Sequence, residues 1–292
     1  MAISAISFSQ PAAVPAGSRR RCKTAGARMK IIALCSATPG AGCTTIASHL
    51  VLAMQRLGRH AVVLDGDPRN QVRLHFGMDP RERDGWWIKD GEPFCFSDAA
   101  YVAAPALDAA QISAHFIPFG ESSVMLEADS NYQTMVRSPK ALEHGLAESA
   151  FADDAIVFIT TSDQFSLLQY QALSIADEVI AVATPNPLWQ LQLSRFYQTI
   201  RSTRAEHDNS FRVLVNQCRP EVRLCNDMVQ LMQAEISAEV MIPLVLHQDQ
   251  HVPEALATQQ LVDDYQPAAQ FAKEVDALAL WLQAQLMDRD NG

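Results

Sequence analysis

The chain has 292 residues and a formal net charge of −10, from 23 lysines and arginines against 33 aspartates and glutamates. Residues 1–30 hold six of the basic residues and no acidic one, so the remainder carries 17 basic against 33 acidic residues, or −16. With 48% hydrophobic residues, the composition excludes a disordered chain and predicts a soluble globular protein. Because this acidic remainder, residues 31–292, is repelled by the negative charge of DNA and of anionic lipid, direct binding to either is disfavoured.

No stretch of the sequence approaches 18 uninterrupted apolar residues, and the N-terminus lacks a basic-then-apolar signal peptide. We therefore expect a cytoplasmic protein that reaches a membrane only through partners. The cysteines form no CxxC pair and no cluster with histidine, which disfavours a zinc site, an iron–sulfur cluster or a disulfide framework. These six cysteines are Cys22, Cys35, Cys43, Cys95, Cys218 and Cys225.

Residues 1–28 show no apolar periodicity and include the basic run SRRRCK. We expect this extension to be disordered. Its composition fits an organelle transit peptide; a start codon placed too early, with Met29 as the true first residue, is the alternative, and a basic tail without a role is compatible with both. Residues 29–292 are then expected to form one folded domain.

From Met29 onward, short apolar runs alternate with amphipathic stretches, the pattern of βα units that build a parallel sheet. Strands are predicted at 30–35, 60–65, 114–118, 155–160, 178–184, 211–216 and 239–242. Two helices have clear apolar faces, formed by Ile46, Leu50, Met54 and Leu57 in the first and by Phe271, Val275, Leu278 and Leu282 in the last. The last helix is predicted to dock on the core. The sequence thus predicts an α/β, three-layer fold with a mostly parallel central sheet.

A glycine-rich segment, ATPGAGCTT at residues 37–45, lies between the first predicted strand and the first predicted helix. Backbone N–H groups and the positive end of a helix at such a turn favour phosphate binding. The P-loop motif GxxxxGK[ST] fails at Ala37 and Cys43, so the pattern alone is weak. The second strand, however, ends in Asp65-Gly66-Asp67-Pro68. Neighbouring parallel strands would bring these carboxylates beside the loop, where Mg²⁺ or an attacking water would need them.

From Met29 to its end, the chain resembles the deviant Walker ATPases of the ParA/MinD type, whose loop reads KGGxGK[ST] and whose second strand ends in DxDP. Gly40, Gly42 and Thr44 match that loop, whereas Thr38 and Cys43 replace its two lysines. The strand AIVFITTSD also has Thr160 where the family's Walker B strand ends in aspartate.

The resemblance implies a site for ATP and Mg²⁺. The implied roles are nucleotide binding by Gly40, Ala41, Gly42, Cys43, Thr44 and Thr45, adenine recognition by Asn216, metal binding by Thr44 and Asp65, and catalysis by Asp67. The segment MIPLVLHQDQHVPEA, residues 241–255, resembles the family's stretch beside the base.

Within this superfamily the chain is most similar to the BcsQ family of bacterial cellulose synthesis, on residues outside the loop. These are RNQVRLHFGMD at 69–79, DGW at 84–86 with DG at 90–91, and IPFG at 117–120. The resemblance implies a MinD-like homodimer that docks on cellulose synthase subunits, with a very slow ATPase or none. Because Thr38 cannot make the cross-subunit contact of the signature lysine, a dimer would rest on other contacts. Two alternatives stay open: a ParA-like partitioning ATPase and a nucleotide-free scaffold.

The least regular stretch, residues 79–113, contains the pair Trp86-Trp87. Neighbours in an extended segment point to opposite faces, so we expect one tryptophan to be buried and the other to contact a partner. Burial of both aromatic rings under a long loop is the alternative.

Overall fold

The computed structural model describes residues 12–13, 28–36, 38–89, 94, 96–103, 114–121, 129–162, 166–203 and 211–290. These residues form a nine-stranded sheet of order β1-β4-β5-β3-β6-β2-β7-β8-β9. The strands are β1 Ala12–Ala13, β2 Lys30–Cys35, β3 Ala61–Gly66, β4 Tyr101–Val102, β5 His115–Ile117, β6 Ile156–Thr161, β7 Glu178–Ala183, β8 Phe211–Cys218 and β9 Met241–His247. The seven strands from β5 to β9 in this order are parallel, and β4 and β1 add an antiparallel edge.

The helices of the described residues are α1 Cys43–Arg56, α2 Ser130–Arg137, α3 Ala141–Glu148, α4 Leu167–Ile175, α5 Trp189–Thr203, α6 Arg223–Glu235, α7 His251–Ala257, α8 Val262–Tyr265 and α9 Gln270–Asp290. Short 3₁₀ turns cover Val72–Phe76, Trp86–Ile88 and Phe96–Ala99. Helices α1 and α9 share one apolar core with one face of the sheet. The opposite face is covered by two further apolar clusters, one built around α2–α4 and the other around α5 and α6. The three-layer α/β prediction is confirmed.

The apolar periodicity of the sequence predicted these elements because the residues at the apolar positions are the ones that are buried. Every residue of β3, β6 and β7 is buried, as the continuous apolar runs require of central parallel strands. Each of the seven predicted strands is present, with ends shifted by a few residues; the largest shift is β9, which runs to His247. The apolar stripes of α1 and α9 face the core as predicted, so α9 is a docked core helix.

The prediction that one of the two tryptophans faces a partner is wrong, because both rings are buried, at 1% and 0% exposure. Trp86 and Trp87 lie in a 3₁₀ turn, where neighbouring side chains do not alternate between faces as they do in a strand. Trp87 stacks on Phe119 at 5.0 Å, and Trp86 makes an edge contact to the same ring at 5.4 Å. The indole Nε1 of Trp86 donates to the backbone oxygen of Asp65 at 2.8 Å. The pair is therefore core that supports the end of β3.

Of the basic extension, the described residues include Ala12 and Ala13, which pair antiparallel with Val102 and Tyr101, and Arg28, whose guanidinium lies 3.6 Å from Asp177. The expectation of disorder otherwise concerns residues that lie outside the described ones.

Candidate nucleotide site

The glycine-rich loop connects β2 to α1 at the carboxyl edge of the sheet. Gly40 and Gly42 have positive φ angles, 71° and 98°, and the carbonyl of Gly42 accepts the first bond of α1 from the N–H of Ile46 at 2.9 Å. The first turn of α1 contains no acidic side chain. The N–H groups at the positive end of α1 lie beside the loop, and a helix end of this kind favours an anion.

Two amides at the end of β8 hold this loop in place. The Nδ2 of Asn216 donates to the carbonyl of Ala41 at 2.7 Å, and the Nε2 of Gln217 donates to the carbonyl of Gly40 at 2.6 Å. The contact from Asn216 is so close that a Cβ on Gly42 would lie 2.4 Å from its Nδ2. Asn216 therefore positions the loop through its amide nitrogen and leaves its carbonyl oxygen for a ligand.

Asp65 is fully buried at the end of β3, where its carboxylate is held by hydrogen bonds. It accepts from the backbone N–H of Asp67 and of Val72, both at 3.0 Å, and from the hydroxyl of Thr160 at 3.4 Å. Burial raises the pKa of Asp65 to about 7, against the lowering effect of these bonds. Asp65 is also paired with Thr160 in the sheet, so the threonine that aligns with the family's Walker B position lies beside the first strand-end carboxylate.

Asp67 is bound by a neighbouring cation. The Nε and one terminal nitrogen of Arg69 contact the Asp67 Oδ2 at 2.9 and 2.6 Å, and the backbone N–H of Arg69 donates to Oδ1 at 2.9 Å. The Asp67 side chain is 4% exposed, whereas that of Arg69 is 50% exposed. The predicted catalytic carboxylate is thus covered by an arginine that the sequence analysis had not assigned to the site.

A cavity of about 190 Å³ opens above the loop. It is lined by Ser36, Thr38, Gly40, Ala41, Gly42, Cys43, Thr44, Thr45, Arg69, Gln71, Thr161 and Gln217. The structure therefore brings together the six predicted loop residues with Thr38 and Arg69. Neither Asp65 nor Asp67 is among the described residues that line it.

A second cavity of about 210 Å³ shares three of the same residues. Its lining is Gly42, Thr45, Asn216, Gln217, His247, Gln248, Asp249, Gln250, Val252, Pro253 and Phe271. The apolar side chains of Val252, Pro253 and Phe271 and the Asn216 amide suit a planar base, and the shared residues make the two cavities one elongated cleft. The predicted base segment, residues 241–255, does lie at this end of the cleft.

The loop that follows β9 is fixed by its own hydrogen bonds. Asp249 accepts from the backbone N–H groups of His251 and Phe271, at 2.9 and 3.0 Å, and from the His251 ring at 2.7 Å. Burial raises the pKa of Asp249, but these bonds outweigh it and the net shift is downward. The carboxylate of Asp249 therefore holds the loop, and a ligand would contact the other residues that line the cavity.

Most of this site fits a nucleotide better than it fits a directly bound metal. The backbone loop, the helix end and the base-sized cavity suit a phosphate-bearing ligand. Asp65 would have to give up hydrogen bonds, and Asp67 its arginine, before either carboxylate could bind Mg²⁺. Among the described residues, no group of three or more histidine, cysteine, aspartate or glutamate side chains is arranged to hold a metal ion.

Sequence reasoning missed Arg69 and Gln217 as site residues. Gln217 lies directly after the predicted Asn216, and its φ of 60° turns its side chain toward the loop. Arg69 directly follows the DxDP motif, and a basic residue at that position is the sequence signal that could have assigned it to the site.

In the part of the chain that the structure describes, no helix has the length and apolarity needed to span a membrane.

The fold is the P-loop NTPase-like fold of the ParA/MinD type. The chain is similar to the cell division ATPase MinD of Pyrococcus furiosus, with a TM-score of 0.65 at 17% identity over 88% of this chain and 99% of that one. It is equally similar to cobyrinic acid a,c-diamide synthase of Mycobacterium smegmatis with bound ADP and magnesium, with a TM-score of 0.65 at 16% identity over 89% and 96% of the two chains. At these identities the likeness establishes the fold.

The particular family is established by sequence. Residues 29–282 match the family model of the cellulose biosynthesis protein BcsQ. The chain is 27% identical over 256 residues to that protein from Escherichia coli K12, covering 87% of this chain and 94% of the relative. It is 26% identical over 263 residues to the protein from Salmonella typhimurium LT2, with the same coverage. The chain belongs to the BcsQ family.

Proposed function

We propose that the protein is a MinD-like regulatory subunit of bacterial cellulose synthesis and secretion that binds ATP with Mg²⁺ and hydrolyses it very slowly or not at all. The observation that carries this proposal is the amide-held loop, which joins a phosphate-sized cavity to a base-sized one in a chain of the BcsQ family. A nucleotide and magnesium occur in the related fold of cobyrinic acid a,c-diamide synthase.

In this proposal the phosphates lie against the backbone of residues 40–45, and the Asn216 carbonyl accepts from the amino group of adenine. Mg²⁺, when bound, would neutralise phosphate charge. Thr44 would supply its hydroxyl to the metal, whose other ligands would be phosphate oxygens and water, as this ion commonly prefers. Asp65 would contribute only on release of one of its hydrogen bonds.

Slow hydrolysis follows from the missing charges. A cation that stabilises the transferring phosphoryl group can be worth ~10³–10⁵ in rate, and Thr38 and Cys43 supply none. Thr160 adds no carboxylate where the related ATPases have one. Asp67, the residue proposed to position the attacking water, is held by Arg69. Binding is less affected, because one charged hydrogen bond contributes ~1.5–3 kcal/mol.

The proposed partners are cytoplasmic subunits of the cellulose synthase complex at the inner membrane or cell pole, and a second copy of this chain. Because Thr38 lacks the charge of a signature lysine, the homodimer would depend on protein contacts more than on a phosphate bridge. The acidic body is consistent with recruitment through partners rather than by direct binding to lipid or nucleic acid.

Nucleotide binding is tested by calorimetric titration of ATP and Mg²⁺ into the wild type, Thr44→Ala and Cys43→Ala. Thr44→Ala should weaken binding because it removes a hydroxyl from the metal and phosphates. Cys43→Ala is the matched control, since its backbone N–H stays. Absence of ATP binding by the wild type, both alone and with the synthase subunits, would leave the nucleotide-free scaffold as the better description.

The cellular role is tested by deleting the gene and scoring cellulose output, with a pull-down read for synthase subunits. We expect loss of cellulose and recovery of synthase subunits. Normal cellulose together with DNA binding at low salt would instead support a partitioning ATPase.

A further inference from the structure

The phosphate end of the cleft contains a cation that the lysine-based motif does not predict. Among the described residues that line this cavity, Arg69 is the one lysine or arginine. The two positions that carry lysine in the related ATPases are Thr38 and Cys43, and both line the same cavity. A triphosphate placed here would meet the backbone loop and Arg69 as its sources of positive charge among the described lining residues.

Arg69 is anchored through its backbone and has a half-exposed side chain. Its backbone N–H donates to Asp67 Oδ1 at 2.9 Å, which anchors the main chain. Its side chain is half exposed and reaches back to the same carboxylate through the Nε and a terminal nitrogen. Rotation of the side chain would release the guanidinium from Asp67 while Oδ1 kept its backbone partner.

The geometry points to Arg69 as the phosphate-binding cation of this protein, exchanging Asp67 for phosphate oxygens when a nucleotide binds. Guanidinium groups bind phosphate and carboxylate in the same bidentate manner, and a triphosphate carries more negative charge than one carboxylate. The exchange is therefore favoured by charge. It would replace the function of the absent lysines, and it rests on the nucleotide binding proposed above.

The exchange has a second consequence for Asp67. In the structure, both carboxylate oxygens accept from Arg69, so neither is directed at a water. Departure of the guanidinium would free Oδ2, the oxygen nearest the terminal nitrogen. Asp67 would then become available only when phosphate holds Arg69, which couples the proposed water-positioning role to occupancy of the site.

The first test compares the affinities of ATP and adenosine for the wild type, Arg69→Gln and Arg81→Gln. We expect Arg69→Gln to weaken ATP binding by about 10- to 100-fold, the effect of one charge-assisted contact. Adenosine affinity should not change, because it has no phosphate. Arg81 is exposed and lies outside both cavities, so Arg81→Gln controls for the loss of one positive charge. Arg69→Lys should give an intermediate affinity.

The second test is a double-mutant cycle with Asp67→Asn. Because Asp67 competes with phosphate for the guanidinium, Asp67→Asn should tighten ATP binding by roughly 2- to 5-fold, the effect of an ion pair worth up to about 1 kcal/mol. In the Arg69→Gln background the same change should have no effect. Equal tightening in both backgrounds would show a general charge effect and overturn the exchange.

The outcomes separate the two proposals. If the wild type binds ATP and Arg69→Gln binds it equally well, the role of Arg69 is overturned and nucleotide binding stands. If the wild type binds neither ATP nor adenosine, the proposed nucleotide function fails and this inference fails with it. Selective loss of ATP affinity in Arg69→Gln, with adenosine and the Arg81→Gln control unchanged, supports the inference.

Discussion

The contact between Gly42 and Asn216 makes a sharp test of how the loop is held. Gly42 has a φ of 98°, and a Cβ there would lie 2.4 Å from the Asn216 Nδ2. Gly42→Ala therefore imposes two costs: a left-handed backbone conformation, at about 1–2 kcal/mol, and loss of the hydrogen bond to Ala41, at about 0.5–1.5 kcal/mol. We expect a loss of about 2–3 kcal/mol in the free energy of unfolding, which corresponds to a fall in Tm of about 4–10 °C.

Gly40→Ala is the matched control. Gly40 also has a positive φ, 71°, but no atom of the described residues lies within 4 Å of a Cβ built there. Its replacement should cost only the conformational term of about 1–2 kcal/mol. The two variants therefore separate backbone strain from collision with the amide.

Denaturant unfolding of Gly42→Ala, Asn216→Ala and the double variant measures the collision directly. Removing the amide relieves the clash, so Gly42→Ala should cost about 1 kcal/mol less in the Asn216→Ala background. Additivity of the two changes to within about 0.5 kcal/mol would contradict the contact. A Gly42→Ala protein as stable as Gly40→Ala would do the same.

Three further outcomes follow from the described residues. Trp86→Phe should lower the free energy of unfolding by about 1–3 kcal/mol, because a buried carbonyl loses its donor; unchanged stability in denaturant would contradict that contact. Burial and a nearby histidine lower the pKa of His75 to about 3, so the unfolded state binds the extra proton between about pH 6.5 and pH 3. The free energy of unfolding should therefore decrease as the pH is lowered across that window, by up to about 1.4 kcal/mol per pH unit. Unfolding curves at several pH values should show a weaker pH dependence for His75→Leu. Thr38→Lys with Cys43→Lys should tighten ATP binding by about 10- to 100-fold without fast turnover, because Thr160 supplies no acid; rapid phosphate release would refute this.

The positions of the strands and of the glycine-rich loop follow from patterns that a sequence displays. Continuous apolar runs specify buried parallel strands, and a glycine-rich turn before an amphipathic helix specifies a helix end open to anions. These features predicted β2, α1 and the glycine-rich loop between them, which are set by local sequence.

The features that the sequence did not predict depend on the directions of side chains, which the spacing of residues along the chain does not specify. Trp86 and Trp87 were assigned to opposite faces on the geometry of an extended segment, but a 3₁₀ turn buries both in the aromatic cluster. Arg69 became part of the site because its side chain folds back over Asp67, two residues earlier. A left-handed φ at Gln217 directs its amide to the loop, and non-glycine residues adopt that conformation only occasionally.

The most direct measurement of the central claim is equilibrium dialysis of the purified full-length protein against labelled ATP with Mg²⁺. The amide-held loop and the cleft beside it predict saturable binding that approaches one ATP per chain, although Thr38 and Cys43 stand where lysines would. Wild-type protein that remains folded and binds no ATP up to millimolar concentrations, with or without its synthase partners, would contradict the claim.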